Sequence, residues 1–139
     1  MADYFTHFSC LIDVGTPEKA AAAMAMFQRC RAEDDESEEP QYRGFEISSQ
    51  DEGQSSKLWI RDDDSGDPDG VVAFVLCLAE ELDLRGLWGF DFAHTASRPI
   101  IGSFGRGATV IDLTARRAIG FVGTQTWLAQ ALTGEDPDA

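Results

Sequence analysis

Hydrophobic and polar residues alternate along the first part of the chain. From Tyr4 to Val14, aromatic and aliphatic side chains recur at every second position, and the same face also carries Thr6. Because neighbouring side chains of a strand point to opposite sides, this alternation predicts a β-strand. Phe5 and Leu11 place apolar side chains on the second face as well, so we expect this strand to be central in its sheet.

Two helices are predicted from start signals that are followed by helical spacing of apolar side chains. The pair Thr16-Pro17 supplies an N-cap and a first-turn proline, and the helix is expected to end near residue 31. Its apolar stripe consists of Ala20, Ala23, Met24, Phe27 and Cys30. The pair Asp67-Pro68 repeats the start signal, so a second helix is predicted over residues 69–82.

The remaining apolar segments are short and are separated by turn residues. Residues 44–50 and 56–62 alternate on either side of Asp51-Glu52-Gly53, which predicts a β-hairpin. Further strands are expected at 87–93, 108–113 and 118–122, followed by a short helix around 127–132.

Two stretches of the chain are dominated by acidic residues. Residues 33–39 contain six acids and are followed by Pro40, so we expect an exposed acidic loop over 33–40. A second acidic loop is expected from Asp62 to Gly70, and residues 134–139 are expected to form a flexible acidic tail.

The order of the first six elements, β-α-β-β-α-β, is that of the ferredoxin-like, split βαβ arrangement. We therefore predict a single α+β domain over residues 1–139, with both helices on one face of an antiparallel sheet and an added C-terminal β-hairpin and short helix. With 139 residues, such a domain is large enough to bury a core without disulfides or metals.

The charge of the chain is unusual in both size and distribution. Residues 1–83 hold 20 acidic and 6 basic side chains, whereas residues 84–139 hold 5 of each, so the net charge of −14 belongs to the first part. A surface this negative repels the phosphates of DNA and RNA, which argues against direct binding to nucleic acid.

The sequence also favours a particular compartment. No apolar run approaches the length of a membrane span, and the first residues do not resemble a signal peptide. The three cysteines, an odd number, favour reduced thiols and therefore a cytoplasmic protein.

The acidic loops are the leading candidate for a binding site. Carboxylates that are displayed together imitate the phosphates of DNA and attract the basic groove of a nucleic-acid-binding protein. The alternative is that they only keep the protein soluble. The candidate partner-binding residues are Asp34, Asp35, Glu36, Glu38, Glu39, Asp62, Asp63, Asp64, Asp67 and Asp69, with Glu80, Glu81 and Asp83 as further members of the same negative field.

Trp59 is a second candidate for partner binding. It lies between Lys57 and Arg61, on the face of the hairpin that we assign away from the helices. If this face is exposed, Trp59 is an interface anchor. The alternative, which we favour, is that the final hairpin or helix covers this face and that Trp59 belongs to the core.

No motif in the chain indicates a catalytic, metal or cofactor site. Asp91, His94 and Ser97 are the residue types of a catalytic triad, but a spacing of three places Asp91 and His94 on opposite faces of a strand. The loop 62–69 lacks the spacing of a calcium-binding loop, and the glycine-rich segment 102–107 is expected to form a tight turn. We therefore expect a protein without enzymatic activity, cofactor or metal.

Arginine is the main basic residue type of the neutral C-terminal half. Arg98, Arg106, Arg116 and Arg117 either form a small anion-binding patch or are separate surface residues, and the second interpretation is favoured.

Four segments resemble a family of small accessory proteins of proteobacterial plasmids and phages. They are Leu58 to Asp62, Ser65 to Pro68, Gly89 to Pro99 and Gly105 to Leu113. The resemblance implies a mobile element in a bacterial host, where small acidic proteins often resemble anti-restriction and anti-CRISPR inhibitors. The predicted partner is thus a basic protein, such as a CRISPR effector or a restriction enzyme. The alternatives are a structural or regulatory homodimer and a small enzyme that uses His94.

Overall fold

A computed structural model describes residues 4–63, 66–96 and 105–134 of the chain. These ranges contain seven strands and three α-helices, which confirms the α+β class. In chain order the elements are β1 (Tyr4–His7), β2 (Ser9–Asp13), α1 (Pro17–Asp35), β3 (Phe45–Ser49), β4 (Lys57–Asp62), α2 (Pro68–Leu82), β5 (Leu87–Ala96), β6 (Gly105–Asp112), β7 (Arg117–Gly123) and α3 (Thr124–Leu132).

The strands form two antiparallel sheets instead of one continuous sheet. The four-stranded sheet has the order β1-β5-β6-β7, and the three-stranded sheet has the order β2-β4-β3. This order differs from the predicted ferredoxin-like topology, because the expected first strand is divided at Phe8 and its two parts belong to different sheets.

The division at Phe8 is stabilised by Asp62, the last residue of β4. The Phe8 amide donates to Asp62 Oδ1 at 2.9 Å, and the Asp62 amide donates to the Phe8 carbonyl at 3.1 Å. Beyond this point the chain leaves the sheet, and the Gly66 amide donates to the Thr6 carbonyl at 3.2 Å. The loop after β4 therefore supplies a hydrogen-bond donor to the edge of β1, at the place where a longer β4 would otherwise pair with it.

Helices α1 and α2 cover one face of the three-stranded sheet. That face carries Ile12, Leu58 and Ile60, all less than 2% exposed. Phe27 of α1, Phe45 of β3 and Phe74 of α2 meet with ring centroids 5.3–5.8 Å apart. Aromatic contacts of this kind add roughly 0.5–1.5 kcal/mol each to the burial of apolar area. The prediction that both helices share one face is confirmed.

Helix α1 is one turn longer than predicted. Glu33, Asp34 and Asp35 continue the helix, so the expected acidic loop over 33–40 begins only at Glu36. Successive residues of a helix point about 100° apart, and the three carboxylates therefore do not meet on one face. The Asp34 side chain points inward, and Asp35 lies 3.1 Å from the Arg43 guanidinium.

The four-stranded sheet is covered unevenly. Phe90 and Phe92 of β5 are buried, and the Trp88 indole N–H donates to the Leu11 carbonyl at 2.9 Å, which ties the two sheets together. Strand β7 lies at the edge of the sheet, and its residues are mostly exposed. Helix α3 contacts β6 and β7. Of the predicted tail, residues 135–139 lie outside the described ranges.

We expect Asp62→Ala to lower the free energy of unfolding by about 2 kcal/mol. The substitution leaves the Phe8 amide without its carboxylate acceptor, and a lost hydrogen bond to a charged group costs about 1.5–3 kcal/mol. Urea denaturation measures the change. Glu39→Ala is the control, because it removes one negative charge from an exposed loop; a similar loss in both variants would contradict this role of Asp62.

Candidate functional site

The segment that follows the first acidic loop lies against the second acidic loop at the start of α2. A Cβ built on Gly44 would come within 2.6 Å of the Asp67 amide nitrogen, and one built on Gly70 within 2.9 Å of the Arg43 carbonyl oxygen. Segment 41–44 is thus in backbone contact with the start of α2. We call the exposed carboxylates on the two sides of this contact the acidic surface, which consists of Glu36, Glu38, Glu39, Asp67 and Asp69.

The acidic surface is not neutralised by basic side chains. Within the described ranges, none of its five carboxylates lies in an ion pair, although the Asp67 side chain also accepts the Asp69 amide at the start of α2. Asp67 and Asp69 occupy the N-terminal end of the helix, where the helix dipole favours negative charge. The helix dipole therefore offsets part of the repulsion between the carboxylates of Asp67 and Asp69.

Asp34 was predicted to be a surface carboxylate, and this prediction is wrong. The residue is only 4% exposed, and its two carboxylate oxygens accept hydrogen bonds from the backbone amides of Gln41 and Tyr42 at 3.0 and 2.7 Å. A buried carboxylate needs such donors to offset the loss of hydration. Asp34 therefore holds the loop 36–42 against α1 and positions the acidic surface without being part of it.

Asp62 is also not displayed for a partner. Its side chain is 15% exposed and is engaged with the Phe8 amide and with His7 Nδ1, which is 3.1 Å from Asp62 Oδ2. At the end of β4 the carboxylate is thus mostly shielded from solvent. Asp35 and Asp63 are exposed beside the acidic surface, whereas Asp64 lies outside the described residues.

The third predicted acidic group lies at the opposite end of α2. Ten or more residues of helix, about 15–20 Å, separate it from Asp69. Arg116 contacts Glu80 at 3.5 Å and Asp83 at 3.0 Å, and Arg29 contacts Glu81 at 3.5 Å. The hydrogen bond from Arg116 lowers the pKa of Asp83. These three acids therefore form a separate, ion-paired group.

An open, largely apolar cleft of about 610 Å³ borders the acidic surface. It lies between the N-terminal turn of α2 and the β6–β7 hairpin, and Asp69 belongs both to the cleft and to the acidic surface. The rings of Phe92 and Phe121 stack in its wall with centroids 5.9 Å apart. The other lining residues are Pro68, Val72, His94, Thr109, Ala118, Ile119 and Gly120.

Sequence reasoning missed this cleft. The available signal was the alternation Ile119-Gly120-Phe121 in β7, which marks apolar side chains on one face of a strand. The position of β7 at the sheet edge, which leaves Phe121 69% exposed, depends on long-range strand pairing.

Asp91 and His94, the two residues of the conceivable triad that the structure describes, do not come together. His94 Nδ1 lies 2.9 Å from Thr6 Oγ1, and its ring contacts Phe92 edge-on, within the cleft. Asp91 points to the other face of β5, where its carboxylate is 3.0 Å from Arg106. Ser97 lies outside the described ranges.

The C-terminal arginines that the structure describes do not form one patch. Arg106 is near the start of β6 and pairs with Asp91, whereas Arg116 lies beyond the end of β6 and donates to the Leu84 and Leu113 carbonyls. Arg98 and residues 102–104 of the glycine-rich segment lie outside the described ranges. Gly105 and Gly107 belong to β6 rather than to a turn.

Trp59 is exposed on the open face of the three-stranded sheet. The expected cover is missing there, because the final hairpin belongs to the four-stranded sheet. Trp59 is 37% exposed, its indole N–H donates to Ser9 Oγ at 2.7 Å, and the Arg61 guanidinium lies 4.4 Å from its ring centroid. Leu11, which is 51% exposed, lies directly opposite Trp59 in the neighbouring strand. The face is thus available, but it is turned away from α1 and α2.

Two of the three thiols, those of Cys10 and Cys30, have a raised pKa. Burial raises the pKa of Cys10 to about 12, with a smaller contribution from the Asp91 charge. Burial also raises the pKa of Cys30, followed by the effect of Cys77. The Tyr42 hydroxyl lies 3.5 Å from Cys77 Sγ, and this hydrogen bond, followed by burial, raises the pKa of Tyr42.

Neither the grouping of possible metal ligands nor the comparison with known proteins identifies a further site. Within the described residues, no three histidine, cysteine or acidic side chains are grouped as metal ligands. No helix in this part of the chain is long and apolar enough to cross a membrane. Comparisons with protein-family models, with curated proteins and with solved structures find no match.

We expect Asp34→Ala to lower the free energy of unfolding by about 2–3 kcal/mol, because it leaves the Gln41 and Tyr42 amides without acceptors. Asp35→Ala is the matched control at the next position and should change stability by no more than about 0.5 kcal/mol, since its ion pair with Arg43 is exposed. Thermal and urea unfolding test both variants. Equal effects would refute the assigned role of Asp34.

We expect Cys10 to react with iodoacetamide at pH 8 at least about 100-fold more slowly in the folded protein than in urea. Its raised pKa keeps the thiol protonated, whereas an unfolded cysteine has a pKa near 8.5. Peptide mass spectrometry after timed labelling gives the rate at each cysteine. Labelling of Cys10 that is as fast in the folded as in the unfolded chain would rule out this environment.

Proposed function

We propose that this protein is a non-enzymatic inhibitor that binds a basic, nucleic-acid-handling protein of a bacterial host. The observation that carries the proposal is the contact of segment 41–44 with the start of α2, because the chain on its two sides carries the five exposed carboxylates of the acidic surface, none of which is in an ion pair within the described ranges. A CRISPR effector or a restriction enzyme is a partner of the required chemistry, because each has a cationic channel for nucleic acid.

The electrostatic part of the proposal is the attraction of a cationic groove. A negative surface accelerates association with a positive one and competes with the phosphates that the groove normally binds. The acidic surface suits this role because its exposed carboxylates are not committed to ion pairs within the described part of the chain. The ion-paired group at the other end of α2 is not part of the proposed interface.

The cleft supplies the apolar part of the same interface. Exposed charges contribute modestly to affinity, and most binding energy in protein interfaces comes from a few buried apolar or aromatic anchors. We infer that an apolar side chain of the partner enters the cleft beside Asp69, while neighbouring lysines or arginines contact the acidic surface. Trp59 lies on a different face and is not needed for this mode of binding.

The biological setting remains part of the proposal. A phage or plasmid origin, and with it a location in the bacterial cytoplasm, rests on the sequence segments described above. The distribution of charge and the position of the cleft support an interaction protein independently of that origin.

We expect the triple variant Glu36→Gln, Glu38→Gln, Glu39→Gln to bind its partner about tenfold more weakly at low salt. Each substitution removes one attractive charge from the acidic surface, and exposed charge pairs are worth up to about 1 kcal/mol each. The measurement is capture of proteins from a bacterial lysate on the immobilised chain, followed by the affinity of the captured protein for wild type and variant.

The matched control is Glu18→Gln, Glu52→Gln, Glu81→Gln, which changes the net charge equally at exposed glutamates outside the acidic surface. This control should retain most of the affinity. Duplex DNA and added salt should both release the captured protein, because they compete for or screen the same charges. Capture that resists both, or equal losses in the two triple variants, would exclude an electrostatic nucleic-acid mimic.

A further inference from the structure

The outer edge of β7 is left open in the described part of the chain. Strand β7 pairs with β6 on one side, and the other side carries backbone groups without a strand partner. At the opposite edge of the same sheet, the Gly66 amide covers β1 by donating to the Thr6 carbonyl. The two edges are therefore treated differently, and β7 has no comparable cover among the described residues.

Strand β7 also lacks the usual protection of an exposed edge. Proline, lysine and inward-pointing charges prevent edge strands from pairing with other chains. The sequence of β7 contains one charged residue, Arg117 at its start, and no proline or lysine. The pairing with β6 is irregular near Ile119 but regular from Gly120 to Gly123, which leaves a four-residue segment suited to a further strand.

Apolar side chains are exposed on both faces next to this edge. Phe121 is 69% exposed on the cleft face, and Val122 is 53% exposed on the other face. Helix α3 extends the second face, since Leu128 and Leu132, one turn apart, are 53% and 79% exposed. A partner that pairs with the edge of β7 would cover apolar area on both sides of the sheet, and burial of this area favours association.

The distribution of charge identifies the occupant as a second copy of the chain. Two molecules that each carry a net charge of −14 repel each other wherever their acidic parts meet. Strand β7 and α3 lie in the half of the chain whose acidic and basic residues balance, so two copies meet there with the least repulsion.

We propose that the protein forms a two-fold symmetric dimer through antiparallel pairing of β7 with β7 of a second copy. The two four-stranded sheets then become one eight-stranded sheet, and the exposed side chains of β7 and α3 face their counterparts across the symmetry axis. The acidic surfaces remain outside this interface. The dimer is a separate inference from the inhibitor role, but the two interfaces share Phe121, which also lies in the wall of the cleft.

Sedimentation equilibrium of the wild-type chain tests the dimer directly. The expected mass is twice the 15.2 kDa of one chain. Added salt should strengthen the dimer by about threefold between about 0.05 and 0.5 M sodium chloride, because it screens the repulsion between the two negative copies. Binding of a basic partner should weaken over the same range, so failure of one proposal is distinguishable from failure of the other. A chain that stays monomeric at its highest soluble concentration at either salt overturns the dimer.

Val122→Lys locates the interface, with Leu11→Lys as the matched control. The two residues are 53% and 51% exposed, both lie in strands, and both substitutions make the net charge less negative by the same amount. Val122→Lys should raise the dissociation constant of the dimer at least tenfold, whereas Leu11→Lys should leave it equal or lower.

Phe121→Thr is a second interface variant that replaces the ring with a β-branched residue suited to a strand and adds no charge, and it should also weaken the dimer. Circular dichroism establishes that each variant is folded. A dimer that survives both Val122→Lys and Phe121→Thr, or that is weakened equally by Leu11→Lys, overturns the assignment to β7. If folded Val122→Lys, which leaves the lining of the cleft unchanged, is monomeric but still captures the basic partner, the dimer and the inhibitor role are separate properties.

Discussion

The carboxylate of Asp62 stabilises the break between the two sheets of this protein. It accepts the Phe8 amide at the point where the chain passes from β1 to β2, and its own backbone amide donates to the Phe8 carbonyl. In a strand that continued without interruption from β1 to β2, the backbone amides and carbonyls would all be hydrogen-bonded within one sheet. Here an acidic side chain supplies the acceptor that the end of β4 no longer provides. The sheets consequently separate, and the loop that follows β4 passes beside β1 toward α2.

This arrangement explains how an acidic loop becomes part of a surface. The chain after Asp62 starts α2 next to the segment 41–44, where Gly44 and Gly70 allow the backbones to touch. Asp34, also buried, holds the preceding loop in place through the Gln41 and Tyr42 amides. Asp34 and Asp62, whose carboxylates accept backbone amides, thus position the segments that carry the five carboxylates of the acidic surface. The same residue type serves structure when its oxygens meet backbone donors and serves display when they meet water.

Sequence patterns predicted most of the elements because the patterns depend on local structure. The N-caps Thr16 and Asp67, the paired strands β3 and β4, and the two helices on one sheet face all follow from spacing and capping. The division at Phe8 did not follow, because alternation continues through residues 4–14 and only a contact 54 positions away interrupts it. For the same reason, the sequence did not show which acids are buried: Asp34 and Glu36 are acidic residues of the same segment, and only a tertiary contact distinguishes them.

The spacing of negative charge in this protein is controlled by two residues that carry no charge. The side chains of the acidic surface are exposed, so evolution or design is free to exchange them and to change the strength or pattern of its negative field. Positions 44 and 70 lack that freedom: even one methyl group there would push the loops apart, since it would meet backbone atoms at less than 3.0 Å. We therefore expect diverged versions of this surface to keep both glycines while their acidic side chains vary.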